Sequence, residues 1–289
     1  MSKEHLQQYL QKILRQLAIW TIQKYQPGVL AVTGSVGKTS TKEAIYAVLK
    51  KYRKTRETSG NFNNEIGLPL TILGDWQEIS GKYFWLKVIL ISLFKLVFRW
   101  KYPELLVLEY AADKPGDIKY LLDIAKPQVG IITTIGDIPV HVEFYSGPEA
   151  VAREKSKVIE FLPATGFAIL NYDDQAVFEM KDRTRAHIMT YGFGEGATLQ
   201  ITNLETRMDG NKPGGISFKL NYGGSFVPVR LDGCFGKAQA YAAAAAACAG
   251  IIFGINLVKI SEALLDFDVI QVTQVAQGVP PQERQSMTH

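Results

Sequence analysis

The stretch Ala31-Val-Thr-Gly-Ser-Val-Gly-Lys-Thr-Ser40 constrains this chain more than any other, because it reads as a strand end, a glycine turn and a helix start. Gln26-Pro-Gly28 is turn chemistry, Val29 to Val32 is an apolar run suited to a buried parallel strand, and Thr41 to Tyr52 has helical character. Gly34 and Gly37 let the backbone approach an anion with no Cβ in the way. The N–H groups of a helix start, with the helix dipole behind them, favour negative charge at that point. Gly34, Ser35, Val36, Gly37, Lys38, Thr39 and Ser40 are therefore candidate nucleotide-binding residues. Lys38 is placed to reach terminal phosphates, and Thr39 to offer its hydroxyl to magnesium, an ion that keeps most of its waters. The general phosphate-loop pattern has glycine where this chain has Val32, so the match is the shorter Gly-x-x-Gly-Lys-Thr-Ser. The plain alternative is a glycine-rich turn with an exposed lysine; the agreement of strand, glycines, Lys-Thr and helix favours the nucleotide.

At 289 residues and 47% hydrophobic, the chain can bury a real core in one large or two ordinary domains, which excludes a disordered protein. Its 32 basic and 28 acidic residues leave a net charge of +4, and the basic residues are scattered rather than gathered beside aromatics. Nucleic acid is therefore not an expected partner, while the small excess suits phosphate or a membrane surface. Cys234 and Cys248 make neither a disulfide framework nor a zinc pattern and are expected as free thiols in a reducing cytoplasm. Met1 to Gln26 lacks the apolar core and small-residue cleavage site of a secretory signal, so a cytoplasmic location is expected.

Leu6, Leu10, Ile13, Leu14, Leu17, Ala18 and Ile22 recur at helical spacing and predict an amphipathic helix packed on the core, with membrane-surface binding as the alternative. The turn-rich run Thr58 to Thr71 carries Asn61, Asn63 and Asn64, amides of the kind a substrate or phosphate–water shell uses; an ordinary polar loop is the alternative. Tyr83 to Trp100 is nearly all apolar but interrupted by Lys87, Lys95 and Arg99, too short and too charged to span a bilayer. The cations repeat at multiples of four, which predicts either a helix lying on a membrane or partner, or a core-packed helix with one wet lysine stripe.

Leu105-Leu-Val-Leu-Glu109 is a buried strand ending in a carboxylate, and ligands sit at the carboxyl ends of parallel strands, so Glu109 is placed to meet magnesium. Val129 to Thr134 is a further strand, and the loop Gly136 to Phe144 carries His141; a lone histidine is more often structural, but a loop after a parallel strand makes it a candidate. Pro148 to Leu162 is helical, and its Lys155 and Lys157 among Glu149, Glu154 and Glu160 read alone as a solvated charged face. Ala168 to Asn171 is a fourth strand leading into Asn171-Tyr-Asp-Asp174, whose polar groups either read a base or ribose edge or form an Asx turn. From Ala197 the texture changes to alternating runs separated by Gly-rich turns, an antiparallel meander. Gly233 to Gly254 returns to helix with a smooth packing face at Ala242 to Ala247; Ser261 to Phe267 is a last short helix, and Gln271 to His289 has no core pattern. The expected fold is α/β: a mostly parallel sheet of phosphate-loop type flanked by helices, with a small antiparallel β meander appended.

Taken in order, Thr33-Gly-Ser-Val-Gly-Lys-Thr-Ser-Thr-Lys-Glu43, Gly60-Asn-Phe-Asn-Asn-Glu-Ile-Gly-Leu-Pro-Leu-Thr71, Glu109, and His141 followed by Ala152-Arg-Glu-Lys155 resemble the central domain of the Mur ligases. The closest look is to the branch that joins D-alanyl-D-alanine to UDP-N-acetylmuramoyl-tripeptide. The resemblance runs roughly from Gly28 to Leu265 and implies a central ATP-binding domain over 28–268, preceded by the amphipathic helix that the spacing predicts over 1–27. Within that domain it sets 83–100 as an apolar insertion and 197–230 as the β meander, leaving 269–289 as a disordered or truncated tail. It further implies ATP-dependent amide ligation: a substrate carboxylate becomes an acyl phosphate, an amine attacks it, and ADP and phosphate leave. Lys38, Lys155 and His141 would then be catalytic; Thr39 and Glu109 would hold one magnesium ion and His141 a second, with Lys155 carbamylated as an anionic bridge. Asn61 and Asn64 match the loop on the phosphate and substrate side, and Asn171 and Asp174 the segment near the base.

Gly236-Lys-Ala-Gln-Ala-Tyr241 is similar to the family's Gly-x-His-x-x-Tyr/Asn turn, with Ala238 where histidine is common. The partners that the resemblance implies are a UDP-muramoyl peptide-like substrate and an amino acid or dipeptide; peripheral membrane contact through 83–100 is one of the two readings of its residue pattern, and no oligomeric state follows. The family's amino-terminal UDP-sugar domain and carboxy-terminal lid have no matching motifs in this chain. Two readings are therefore carried: a Mur-type ligase or its central part in peptidoglycan synthesis, and a truncated, catalytically incomplete ATP/Mg-binding module with or without a membrane contact. The folate and cyanophycin ligases share the phosphate loop, but the Asn-rich loop argues against them.

Overall fold

Val29, Leu30, Ala31 and Val32 are all buried, and consecutive residues of a strand face opposite ways, so β1 (Gly28–Thr33) has to be covered on both sides. The computed structural model, which describes residues 3–60, 62–76, 78–81, 83–98, 100–136 and 144–267, shows this arrangement. The other apolar runs form β3 (Leu105–Glu109), β4 (Val129–Ile132) and β5 (Phe167–Asn171). Two more parallel strands, β2 (Thr55–Glu57) and β6 (His187–Gly192), carry no apolar run and were not expected. The meander is β7 (Leu199–Asp209), β8 (Lys212–Tyr222) and β9 (Ser225–Asp232).

These strands form one sheet in the order β2-β3-β1-β4-β5-β6-β7-β8-β9. Pairing is parallel from β2 to β7 and antiparallel between β7, β8 and β9. β1 is the point where the chain switches direction across the sheet, with β3 on one side and β4 on the other. Such a switch opens a crevice at the carboxyl ends of the strands.

On one face Leu30, Val32, Val107, Ile131 and Ile169 pack against α2 (Lys38–Leu49), α8 (Lys237–Ile252) and α9 (Leu257–Leu264). Ala242 to Ala247 are all buried there, and their short side chains let α8 lie close to the sheet and to α2. On the other face Val29, Ala31, Leu106 and Leu108 meet α1 (Lys3–Tyr25), α3 (Gly67–Leu73), α5 (Asp117–Ile124) and α6 (Pro148–Glu160). The short helix α7 (Gln175–Phe178) follows β5. Cys234 and Cys248 are buried thiols that form no disulfide.

α4 (Phe84–Val97) forms a third layer: Phe84 and Val88 join Leu14 and Leu17 of α1 and Leu70 and Leu73 of α3 in a separate cluster. Of the expected wet lysine stripe, Lys87 is exposed and Lys95 is not. Lys95 Nζ turns inward and donates to Leu73 O at 3.2 Å, and Lys87 lies over the Trp76 ring, while Leu86, Leu90, Leu93, Phe94 and Val97 are exposed. The carbonyl groups at the end of α3 draw the cation in, which leaves the apolar side outward. No described helix is long and apolar enough to cross a membrane. Asn61, Arg99, His141 and the tail from residue 268 lie outside the described residues.

Candidate phosphate-binding site

The loop after β1 is held open by its neighbours. Thr133 Oγ1 donates to Val36 O at 2.7 Å, and the N–H groups of Ser35 and Val36 donate to Thr134 O at 2.7 and 3.1 Å. Two of the loop's N–H groups therefore belong to the β4 side. The amides left for an anion are those of the first helical turn, at Lys38, Thr39 and Ser40, ahead of the first helical bond from Thr41 N to Gly37 O at 3.0 Å. Gly34, at φ 150°, passes so close to β4 that a Cβ would lie 1.9 Å from Thr133 Oγ1. Gly37, at φ 83°, is the left-handed residue from which α2 starts.

Lys38 Nζ folds back over the loop and donates to Gly34 O at 3.0 Å and Ser35 O at 3.3 Å. Burial lowers its pKa below the ordinary lysine value, while Glu109 and then Asp113 pull the other way. Ser35 Oγ is buried with no hydrogen-bond partner, an oxygen in the cradle still to be satisfied. Val36 is exposed at the loop tip.

Below Lys38, Thr39 and Glu109 meet as expected: Thr39 Oγ1 donates to Glu109 Oε2 at 3.1 Å. Glu109 is buried, and its other oxygen accepts from Asn63 Nδ2 at 3.0 Å. Its backbone N–H donates to Thr58 Oγ1, and Thr58 O accepts from the buried Lys42 Nζ at 2.6 Å. Lys42 also lies 3.6 Å from Glu57 and 3.8 Å from Glu43, and burial pushes the Glu43 carboxyl up to about 7. Asn64, which the resemblance pointed to, turns the other way, its Oδ1 accepting from Ile66 N and Gly67 N at the start of α3. It also lines a 390 Å³ cavity with Gln11, Ala111 and Asp113 behind the end of β3.

α6 does not present a solvated charged face at Glu154 and Lys155, which are both buried. The turn after Asp113 covers them: Glu154 Oε1 accepts from Gly116 N at 3.0 Å and Ile118 N at 3.1 Å, and Lys157 closes on Oε2 at 2.6 Å. Lys155 is 1% exposed, and its amine is pushed down to about 8, first by burial and then by Lys38, with Asp113 and Glu154 opposing. Lys38, Asp113 and Lys155 thus share one electrostatic neighbourhood.

Asn171 and Asp174 brace the site from beneath. Asn171 Nδ2 donates to Thr134 Oγ1, and its Oδ1 accepts from Asp173 N at 3.1 Å, an Asx turn. Asp174 Oδ2 accepts from Ile135 N and Gly136 N at 2.8 and 3.0 Å, and its Oδ1 caps α7 through Val177 N. Tyr241, near the start of α8, donates to Asp173 at 2.9 Å. The residues that sequence reasoning left off the site are Thr58, Lys42, Asp113 and Thr134, while Asn63 reads as a loop amide but is not among the positions the resemblance points to. Asn63 and Asp113 carried a signal, one as part of the Asn run and the other as a carboxylate in the loop after a parallel strand.

The family model for the Mur ligase middle domain matches residues 32–80 and 89–250. The UDP-N-acetylmuramoyl-tripeptide–D-alanyl-D-alanine ligase of Bacillus subtilis is 30% identical over 242 residues, covering 84% of this chain and 45% of the relative. The ligase of the same name from Synechocystis is 33% identical over 175 residues, covering 60% of this chain and 33% of the relative. The crystal structure of a MurF ligase from Thermotoga maritima in complex with ADP aligns with a TM-score of 0.69 at 27% identity, over 87% of this chain and 52% of that one. The chain thus spans at most about half the length of these relatives. With most of its residues matched and the phosphate loop, Asn-rich loop and Glu109 in one crevice, the chain belongs to the Mur ligase middle domain family.

Proposed function

We propose that this chain binds ATP with magnesium at the carboxyl end of β1 and serves as the ATP-binding part of a Mur-type acid–amino acid ligase in peptidoglycan precursor synthesis. The observation that carries this reading is the Thr39–Glu109 pair under a loop whose lysine already lies over the anion cradle. An octahedral magnesium ion holds oxygens at about 2.0–2.1 Å, which puts neighbouring ligands about 3 Å apart. The hydroxyl and carboxylate oxygens stand 3.1 Å apart, so they fit one edge of such a shell. Among the described residues no group of three or more His, Cys, Asp and Glu is arranged for a metal, and magnesium bound with nucleotide phosphates and water needs no such group. The buried, unpartnered Ser35 hydroxyl supports a phosphate in the loop.

In this reading Lys38 and the first-turn amides of α2 offset charge on the terminal phosphates, and Thr39 and Glu109 orient the metal that neutralises the rest. The γ-phosphoryl group passes to a substrate carboxylate. The amine of an amino acid or dipeptide then forms the C–N bond as the acyl C–O bond to phosphate breaks. Lys155 lies beside Lys38 with an amine held near neutrality, which suits addition of CO₂ to give an anionic carbamate and a proton. The named relatives suggest UDP-muramoyl-tripeptide and D-alanyl-D-alanine as substrates, and His141 and Asn61 stay proposed contacts on the resemblance alone.

The test is phosphate release from ATP and magnesium in the presence of UDP-muramoyl-tripeptide and D-alanyl-D-alanine. Release that requires both substrates and falls by about 100-fold or more in Lys38→Ala is expected. Nucleotide binding without substrate-dependent release would replace this reading with that of a module that holds ATP without ligating.

A further inference from the structure

We propose that the outward face of α4, together with the basic groove beyond its carboxyl end, seats this chain on an anionic lipid bilayer. α4 touches α1 and α3 rather than the sheet, and only Phe84, Val88 and Ser92 are buried. Leu86, Leu90, Leu93, Phe94 and Val97 follow one another at i, i+4, i+7, i+8 and i+11, so they lie on a single stripe, and all are exposed. The stripe continues into exposed Phe98 and Trp100. α1 runs alongside in the same sense: its Leu14 and Leu17 pack on Phe84 and Val88, and Lys24 Nζ near its end donates to Leu96 O at 2.8 Å. It adds exposed Leu6, Tyr9, Ile13 and Trp20 at helical spacing. A contiguous apolar surface of this kind on a protein otherwise rich in buried apolar residues marks a binding face.

Charge selects the occupant. From Tyr83 to Tyr102 there is no Asp or Glu; Lys95 turns inward to Leu73 O, and the exposed lysines of this span are Lys87 and Lys101. Past Trp100 the chain enters a 670 Å³ groove lined by Lys50, Lys51, Arg53, Lys54, Lys101 and Glu104; Arg53 pairs with Glu104 and Lys51 with Asp266, which leaves Lys50, Lys54 and Lys101 as its basic lining. Two copies meeting through this face would oppose like charges, whereas lipid headgroups of negative charge complement it. An apolar helix face at the acyl boundary, an aromatic residue at headgroup level and a polybasic flank are the two-signal arrangement that holds a protein reversibly on a membrane.

The test is sedimentation of the whole chain with vesicles of phosphatidylcholine alone or mixed with phosphatidylglycerol, at low and high salt. Binding to the anionic vesicles, weakened about tenfold by salt or by removing the anionic lipid, is expected, with a blue shift of tryptophan emission. Leu90→Glu with Phe94→Glu is expected to lower partitioning by about tenfold or more. Lys54→Gln with Lys101→Gln leaves the packed side of α4 untouched and is expected to lower it several-fold. ATP affinity and thermal unfolding, followed on the same variants, are expected to be unchanged, so this result and the nucleotide site are read separately. No vesicle binding by the unmodified chain, or equal binding to neutral vesicles, overturns the proposal. So does concentration-dependent self-association that the α4 substitutions abolish in the absence of lipid.

Discussion

Glu109 is held on both oxygens, by Thr39 on one and Asn63 on the other, so its carboxylate has one orientation before any ligand arrives. Removing an orienting partner of this kind typically weakens metal binding about 10–100-fold. Asn63→Ala is therefore expected to raise the magnesium concentration needed for ATP binding about tenfold while leaving thermal stability nearly unchanged, as a magnesium titration followed by nucleotide fluorescence would read. Gly34→Ala puts a methyl against Thr133 Oγ1 and is expected to lower unfolding free energy by about 1–3 kcal/mol in urea melts. Lys155 predicts a pH dependence. Its folded pKa of about 8 lies below the ordinary 10.5, so between those values the folded protein holds fewer protons than the unfolded chain. Stability gained from this group is thus fully present above 10.5 and lost as pH falls through 8. Relative to Lys155→Met, the unmodified chain is expected to gain roughly 3 kcal/mol across that window in paired urea titrations. That Gly34, Lys38 and Thr39 lie in the turn between a strand and a helix was legible from local spacing, and Glu109 from its place at the end of an apolar strand. The choice between Asn63 and Asn64 was not, since side-chain direction in an irregular loop is set by what packs around it. The burial of Glu154 and Lys155 was hidden for a similar reason: their helix carries surface-like charge, and Glu154 is covered by the turn at Gly116 to Ile118, far from it in sequence.

At the scale of elements, the strands that patterning found are those with continuous apolar runs, and the two it missed are different. β2 is three residues at the sheet edge, and β6 mixes His, Thr and Tyr with apolar residues. Both are strands because a neighbour's unpaired edge recruits them, which no local pattern records. α4 was found as a helix, but its orientation was not, because the inward turn of Lys95 depends on the carbonyl of Leu73. α8 behaved as its composition said: the alanine run is a contact surface, and Ala245 is fully buried in it. Ala245→Leu is expected to cost about 1–3 kcal/mol through overpacking against the sheet and α2, seen as a lower midpoint in thermal unfolding. Asp174 ties β5 to the loop after β4 through two backbone N–H groups. Asp174→Ala is expected to speed amide exchange at Ile135 and Gly136 with little change in β1.

For the whole molecule, the position of β1 between β3 and β4 decides where ligand chemistry can sit. β1 supplies the loop, β3 the carboxylate and β4 the threonines that hold the loop open, three segments far apart in sequence that meet only because the sheet order changes there. The general architecture and the location of the site at strand ends could be read from the sequence; the bracing of the loop by Thr133 and Thr134 needed the sheet itself. α4 forms a third layer on α1 and α3, away from this crevice in the order of packing, so surface attachment through it and nucleotide binding are separable properties of one chain. The direct measurement is titration calorimetry of ATP with and without magnesium into the unmodified chain and Lys38→Ala. One saturable site that requires magnesium and is weakened at least about tenfold in Lys38→Ala is the expected result. No binding by the unmodified chain, or equal binding by both, would contradict a nucleotide site at the end of β1.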